Sequence, residues 1–334
     1  MATYKDIKGI KVESLSSDPP VATSLGEMWY NTTSGALKYS IEGPGAWSSG
    51  GTQTTALATA ALTGTQTAAI SMAGFYDLQT TLTYNGTAWT AVNNLTQLGR
   101  NSPGAFGTQS AALCAGGYNT DDNATFDYSE TWDGTNWTEG NNINTPRGYL
   151  ATANQGTTSA GLIFGGRAGP TGNAQTTSAE SYDGTNWTES TALNTAVQSC
   201  FGGGTQTAAF CVGGQAVPAA VGLNQQWNGT GWTNETAINT ARQNGICSGG
   251  TVTAALIAGG SDPTSALTES WNGTGWTEVA DLSTARYASG KGTGSNTAAL
   301  CAGGATGTPP PAGTGLTEEF NDPGPTSTVT FTAS

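Results

Sequence analysis

Few side chains in this sequence could carry chemistry. The chain has 334 residues, with 23 Asp and Glu against 10 Lys and Arg, five cysteines and no histidine. Without imidazole there is no histidine base for a serine or cysteine nucleophile, and the commonest metal ligand is missing. A Ser–His hydrolase and a histidine-ligated copper oxidase are therefore excluded, and no cofactor is expected. Carboxylates near Asp121, Asp122 and Asp262 do not repeat the spacing of a calcium loop and read as solvated loop acids.

Arginine and glutamate do follow a pattern. Arg147, Arg242 and Arg286 each stand ten residues after a recurring tryptophan (Trp137, Trp232, Trp276), and Arg100 stands eleven after Trp89. Glu130, Glu180, Glu269 and Glu318 each stand two residues before a recurring aromatic. Two further units lack both: Leu57 and Val197 replace arginine, and Leu82 and Gln225 replace glutamate. Joint loss predicts ion pairs inside each unit, Arg100 with Glu130, Arg147 with Glu180, Arg242 with Glu269 and Arg286 with Glu318. A buried arginine without its carboxylate would cost about 3–5 kcal/mol. The alternative, a ring of arginines gripping an acidic ligand, gives no reason for glutamate to vanish from the same units.

The elements that position these residues are repeats. An aromatic and a tryptophan bracket a short turn in YNGTAWT (Trp89), WDGTNWT (Trp137), YDGTNWT (Trp187) and the two copies of WNGTGWT (Trp232, Trp276), spaced 48, 50, 45 and 44 residues apart. Trp47 reads as a sixth, degenerate member. Between them run six apolar strands, TAAISMAGF, SAALCAGG, SAGLIFGG, TAAFCVGG, TAALIAGG and TAALCAGG, five of them ending in a glycine pair. Each unit predicts four short strands; in one they span 243–248, 253–258, 266–271 and 275–279, with Asn272-Gly273 as the hairpin signal. Sheets of this size cannot bury both faces alone and stack radially around an axis.

The pattern resembles the kelch β-propeller over residues 50–322, although the turn between the aromatics is shorter than the usual kelch spacing. The resemblance implies an all-β fold of four-stranded kelch-like blades. Seven blades are favoured, with the C-terminal TSTVTFTAS strand and the N-terminal GEMWYN, ALKYSI and AWSS strands pairing to close the ring over 25–334. Six, with the Trp47 strand completing the last blade, is the alternative. The strict repetition of Trp89, Trp137, Trp187, Trp232 and Trp276 fits wedges between blades better than sugar-stacking platforms. Cys114, Cys211 and Cys301 occupy one repeat position and Cys200 and Cys247 lie in the preceding strand; all read as buried small hydrophobes.

Residues 1–24 stand outside the repeat and concentrate Lys5, Lys8 and Lys11, which predicts an arm that docks the chain on other proteins. The following LGEMWYNTTSGALKYSIEG resembles a module of bacteriophage tail-fibre and other virion appendage proteins. The whole layout of arm, hairpin and Gly- and Thr-rich repeats is similar to a family of structural proteins from marine phages. That resemblance implies a non-enzymatic virion protein, made in the cytoplasm of an infected bacterium and anchored by its arm to other virion proteins. Its loops would bind a host-surface glycan or protein, or decorate the particle.

Two other readings stay open, a carbohydrate-binding or glycan-cleaving propeller and a cytoplasmic kelch scaffold. A sialidase-like reading rests on Ser181, Asp183, Gly184 and Trp187, but glycine follows the aspartate directly and the five arginines are spread along the chain. The net charge of −13 repels nucleic acid and anionic lipid. No apolar run reaches membrane length, and the start lacks the apolar core of a secretory signal. Binding is expected in the loops after the glycine pairs, at 119–125, 168–176, 215–221 and 305–313, which vary most among units. Within the last of these, the Pro309–Pro311 run reads as loop stiffening.

Overall fold

A computed structural model describes residues 12–19, 28–42, 45–169, 174–245, 247–261, 263–287, 292–307, 313–322 and 325–331. Lys5, Lys8, Lys11, Asp262 and Pro309–Pro311 lie outside them. The chain divides into two compact units, Met1–Gly45 with Asp322–Ser334, and Ala46–Asn321.

The larger unit carries six four-stranded antiparallel sheets. In the first the strands are Ala61–Gly64, Ala69–Met72, Thr81–Tyr84 and Trp89–Val92, and in the second Gly104–Thr108, Ala111–Ala115, Ser129–Trp132 and Trp137–Glu139. The third has Ala151–Thr152, Gly161–Phe164, Ala179–Tyr182 and Trp187–Ser190; the fourth has Phe201–Thr205, Ala208–Val212, Asn224–Trp227 and Trp232–Asn234. The fifth comprises Cys247–Gly250, Ala255–Gly260, Ser265–Trp271 and Trp276–Val279. In the sixth, Thr293–Gly294, Ala298–Ala302 and Thr317–Asn321 are joined by Ala46–Ser49 from the other end of the unit.

The first strand of each sheet touches that of the next, and the sixth touches the first, so the inner strands follow one another in cyclic order. The core is divided in the same way. Six apolar clusters each fill the space between two neighbouring sheets; Ile70 and Met72 of the first sheet, for example, meet Ala112, Trp132 and Trp137 of the second. Each cluster takes at least one Leu or Ile from the connection between sheets, such as Leu95, Ile143 or Leu193. This is a β-propeller-type arrangement, because no sheet has a core of its own.

The Trp47 strand completes the last sheet of the larger unit, one of the two placements expected for it from sequence. Ala46–Ser49 pairs with Thr317–Asn321, setting Trp47 opposite Phe320 with ring centroids 5.2 Å apart. The other five sheets have the same aromatic pair, at 4.8–5.4 Å. The C-terminal strand Pro325–Phe331 pairs instead with Ala36–Glu42. With Met28–Asn31 and the parallel Glu13–Leu15 it forms the sheet of the smaller unit. The boundary expected after residue 24 thus falls after residue 45, and the propeller-type unit ends at Asn321 rather than 334. Residues 13–15 and 28–42 belong to their own sheet because Trp29, fully buried there, has partners in that unit: its indole N–H donates to Asp18 at 3.0 Å.

The innermost strand of the fifth sheet begins at Cys247 rather than Gln243, because Asn244 is left-handed (φ 51°). Equivalent residues of four other units do the same: Thr59, Ser102, Tyr149 and Ser199, with φ of 50–55°. Each hands a hydrogen bond to its neighbour, Ser102 N to Thr59 O at 2.8 Å, Tyr149 N to Ser102 O at 3.0 Å, Ser199 N to Tyr149 O at 2.9 Å and Asn244 N to Ser199 O at 3.0 Å. A left-handed non-glycine residue costs about 1–2 kcal/mol. The hydrogen bond made to the next sheet offsets part of that cost.

Candidate functional site

All four Arg–Glu pairs are made inside their own sheets. Arg100 Nη2 lies 3.1 Å from Glu130 Oε1, Arg147 Nη2 2.9 Å from Glu180 and Arg286 Nη2 2.8 Å from Glu318, while Arg242 Nη1 contacts Glu269. All eight side chains are buried. The glycine pair gives the guanidinium its room, since a Cβ on Gly117 would stand 2.8 Å from Arg100 Cδ. Burial lowers the pKa of Arg147 to about 10, opposed by the Glu180 charge, so it remains a cation at neutral pH.

Each glutamate has a second task. Its carboxylate accepts backbone N–H groups of the segment arriving from the previous sheet: Thr96 and Gln97 for Glu130, Asn144 for Glu180, Asn239 for Glu269 and Ser283 for Glu318. In the fourth sheet Gln225 does the same uncharged, taking Thr195 N–H at 3.0 Å. In the first sheet Leu57 and Leu82 are buried together in one apolar cluster.

The tryptophans lie between sheets, as their repetition suggested. Trp137 Nε1 donates to Thr81 Oγ1 of the preceding sheet at 3.0 Å, Trp89 to Thr317 at 2.9 Å, and Trp47 to Thr268 at 3.1 Å. Trp232 donates to the carbonyl of Thr191 at 3.0 Å. The indole N–H groups of Trp187 and Trp276 are buried without a partner. Tyr84 donates to Glu319 at 2.6 Å, and burial with that carboxylate pushes its phenol up to about 12. Asp183 of the sialidase-like box caps its own exposed turn, accepting from Thr185 and Asn186 N–H at 2.8 and 2.7 Å, which lowers its pKa. Asn272 Oδ1 caps the corresponding turn in the fifth sheet, a turn of four residues where the expected strands left three.

The sequence reading missed three arrangements. The first is a plug. The third unit has 18 residues from its arginine to its glycine pair where the others have 16 or 17, and the added residues place Asn154 and Gln155 across the ring of inner strands. Asn154 Nδ2 donates to Gly292 O of the sixth unit at 2.9 Å, and Gln155 N donates to Gly204 O of the fourth at 2.9 Å. Asn154 O in turn accepts from Thr63 of the first sheet at 3.1 Å. The plug forms part of the wall of a cup of about 560 Å³, which is otherwise lined by glycines such as Gly64, Gly107 and Gly294 and by side chains that include Gln66, Thr108 and Ser295.

The second is the fifth arginine, Arg167, whose guanidinium sits 5.2 Å from the ring centres of both Tyr118 and Tyr149. The third is a thiol pair, Cys211 Sγ 2.9 Å from Cys200 Sγ.

The loops after the glycine pairs brace one another. Gln175 Nε2 donates to Gln215 O at 2.6 Å, and Val217 N to Gln175 Oε1 at 2.8 Å. Asp77 accepts N–H bonds from Thr120 and Asp121. Among the described residues no group of three or more His, Cys, Asp or Glu could hold a metal ion, and no helix is long and apolar enough to cross a membrane.

No protein-family model matches the sequence, and no curated protein matches it. Among solved structures 372 chains match, so the shape is widely reused and does not by itself select a function. One of them, titled "Structure of YjhT", is 12% identical with a TM-score of 0.65, covering 79% of this chain and 94% of that one. At that identity the likeness shows the fold alone: the chain has a β-propeller-type, kelch-like fold.

Proposed function

We propose that the protein is a non-enzymatic structural protein of a bacteriophage particle. In this reading a six-bladed kelch-like propeller is docked through residues 1–24, with Lys5, Lys8 and Lys11, on other virion proteins. Its loops face a host-surface glycan or protein, or decorate the particle. The observation that carries the reading is where the charge goes. Four of the five arginines are buried with their glutamates inside single repeats, and the glutamates also hold the segment arriving from the previous sheet, so the repeated charge serves architecture. Variation among units is concentrated in the loops after the glycine pairs, where a display protein would vary. The resemblance of the N-terminal module to virion appendages supports the particle.

Mass spectrometry of purified virions tests this: the polypeptide is expected at a fixed copy number, and a chain lacking residues 2–24, although it loses the Glu13–Leu15 strand of the smaller unit, is expected to keep the propeller-type unit folded but to be missing from particles. Absence of the full chain from virions overturns the reading.

A second reading, a propeller that binds or cleaves a glycan, is favoured by the uncharged cup of about 560 Å³, where Gln66, Thr108, Asn154, Gln155 and Ser295 stand among glycines. Glycan arrays and hydrolysis assays on the isolated protein separate the two, and turnover of any glycan rejects the first as stated.

A further inference from the structure

We propose that Cys200 and Cys211 are a disulfide-forming pair, oxidised by a low-molecular-weight disulfide, that staples the fourth sheet where four of the other five sheets use an ion pair. The inference rests on a comparison of equivalent positions. Cys114, Cys211 and Cys301 occupy one site of the repeat, each opposite the Glu or Gln position of the next strand: Glu130, Gln225 and Glu318 respectively. In the second and sixth sheets the sulfur faces the arginine, with Arg100 Nη2 3.6 Å from Cys114 Sγ and Arg286 Nη2 3.6 Å from Cys301 Sγ. The fourth sheet has Val197 in place of that arginine. The space beside Cys211 is taken by a second sulfur, Cys200, which stands three residues after Val197, where the first three units have Ala60, Pro103 and Leu150.

The two sulfurs are 2.9 Å apart, closer than thiols rest in van der Waals contact. A covalent bond needs an approach to about 2.05 Å. Both are buried in the cluster between the third and fourth sheets, Cys200 with 3% and Cys211 with 0% of its surface exposed. Burial and the neighbouring thiol push Cys211 well up, so it is held as the neutral thiol.

The chemistry is a two-step exchange. The Cys200 thiolate attacks one sulfur of the external disulfide and expels one thiolate. The Cys211 thiol then gives up its proton and attacks Cys200 Sγ, expelling the second. Two cysteine thiols are oxidised by two electrons, one external disulfide is reduced to two thiols, and one S–S bond replaces two S–H bonds. Low exposure makes the step slow in the folded sheet and fast while the sheet forms.

The sequence supplies a clean readout, because no Lys or Arg lies between Arg167 and Arg242, and tryptic peptide 168–242 contains only these two cysteines. The full chain is incubated natively with oxidised glutathione in one arm and refolded from denaturant in a buffer of oxidised and reduced glutathione in another. Both arms are alkylated in denaturant without reductant and then digested. In the refolded arm, peptide 168–242 is expected two hydrogens lighter and free of alkyl groups, while Cys114 and Cys301 are alkylated; dithiothreitol restores two alkyl groups. The oxidised chain is expected to melt about 5 °C higher than the reduced one. Cys200→Ala, a residue the first unit already carries at this position, should show no such rise. Two alkyl groups on the peptide in both arms, a stable glutathionyl adduct, or a bond from either residue to another cysteine overturns the proposal.

Discussion

Four sheets of the propeller-type unit bury a guanidinium against a carboxylate and two do not, yet all six keep the same four-strand order. The first sheet fills the place with Leu57 and Leu82, and the fourth with Val197, Gln225 and a pair of thiols. The site therefore does not need charge. It needs partners that match: each ion pair leaves one buried guanidinium nitrogen without a partner, and the apolar pair and the neutral amide leave none. Gln225 adds a further lesson: it abandons the arginine but keeps the bond to the arriving backbone, here Thr195 N–H. The carboxylate's hold on the connection between sheets is thus separable from its hold on the cation.

The strongest way to break this comparison is to strand one partner. Glu180→Leu should lose about 3–5 kcal/mol, because Arg147 stays buried without its counter-charge. Arg147→Leu combined with Glu180→Leu, the chemistry of the first sheet, should return to within about 1 kcal/mol of the parent. Urea unfolding of the two singles and the double closes the cycle. A double variant as unstable as the singles would mean that the pair itself, and not its matching, supports the sheet.

A smaller effect separates the two tasks of the glutamate. Glu130→Gln keeps an oxygen for Thr96 N–H, as Gln225 does for Thr195, but leaves Arg100 without its counter-charge; it should cost about 3 kcal/mol, less than Glu130→Leu, which loses the acceptor as well. Equal losses for the two variants, measured by the shift in urea midpoint, would show that the connection gains nothing from the acceptor.

Much of this was legible in the sequence because repeats act as internal comparisons. The joint absence of Arg and Glu from two units pointed to their contact, and the aromatic spacing to the sheets. What was not legible depends on contacts between distant segments. The Trp47 strand could complete the last sheet or join an N-terminal one, and only its register against Phe320 decides. The plug was visible as an 18-residue spacing, but insertion length does not say that Asn154 turns inward. The left-handed residues Thr59, Ser102, Tyr149, Ser199 and Asn244 are of four different types, because what repeats there is a backbone hydrogen bond.

The tryptophans allow the same comparison at lower stakes. Trp137 and Trp187 are equivalent, but Trp137 Nε1 bonds Thr81 and Trp187 Nε1 has no partner. Replacing each by Phe removes similar ring area, so the difference between the two variants isolates one buried hydrogen bond. Trp137→Phe should be the costlier by about 1 kcal/mol. Equal costs in thermal unfolding would assign the whole effect to packing.

The gentlest test sets the buried pairs against the ion pair of the smaller unit. Lys38 Nζ donates to Asp18 Oδ2 at 2.7 Å, and the same carboxylate accepts from Asn31 Nδ2 at 2.7 Å and from the indole of Trp29 at 3.0 Å. Led by the bond from Lys38, then those from Asn31 and Trp29, these donors lower the pKa of Asp18 from 3.8 to about 2. A depressed carboxylate contributes its stability in full above the unfolded value, and loses it as pH falls through the folded one. Its contribution to stability should therefore be unchanged from neutrality down to about pH 4, weaken below that, and be mostly gone near pH 2, where the carboxylate is half protonated. Asp18 is partly exposed, so the effect is small and screened by salt. The indole N–H resonance of Trp29 is the probe: it should titrate with a midpoint near 2 in the parent and show no such step in Asp18→Asn. A midpoint near 4 in the parent would mean that Lys38, Asn31 and Trp29 do not hold the carboxylate.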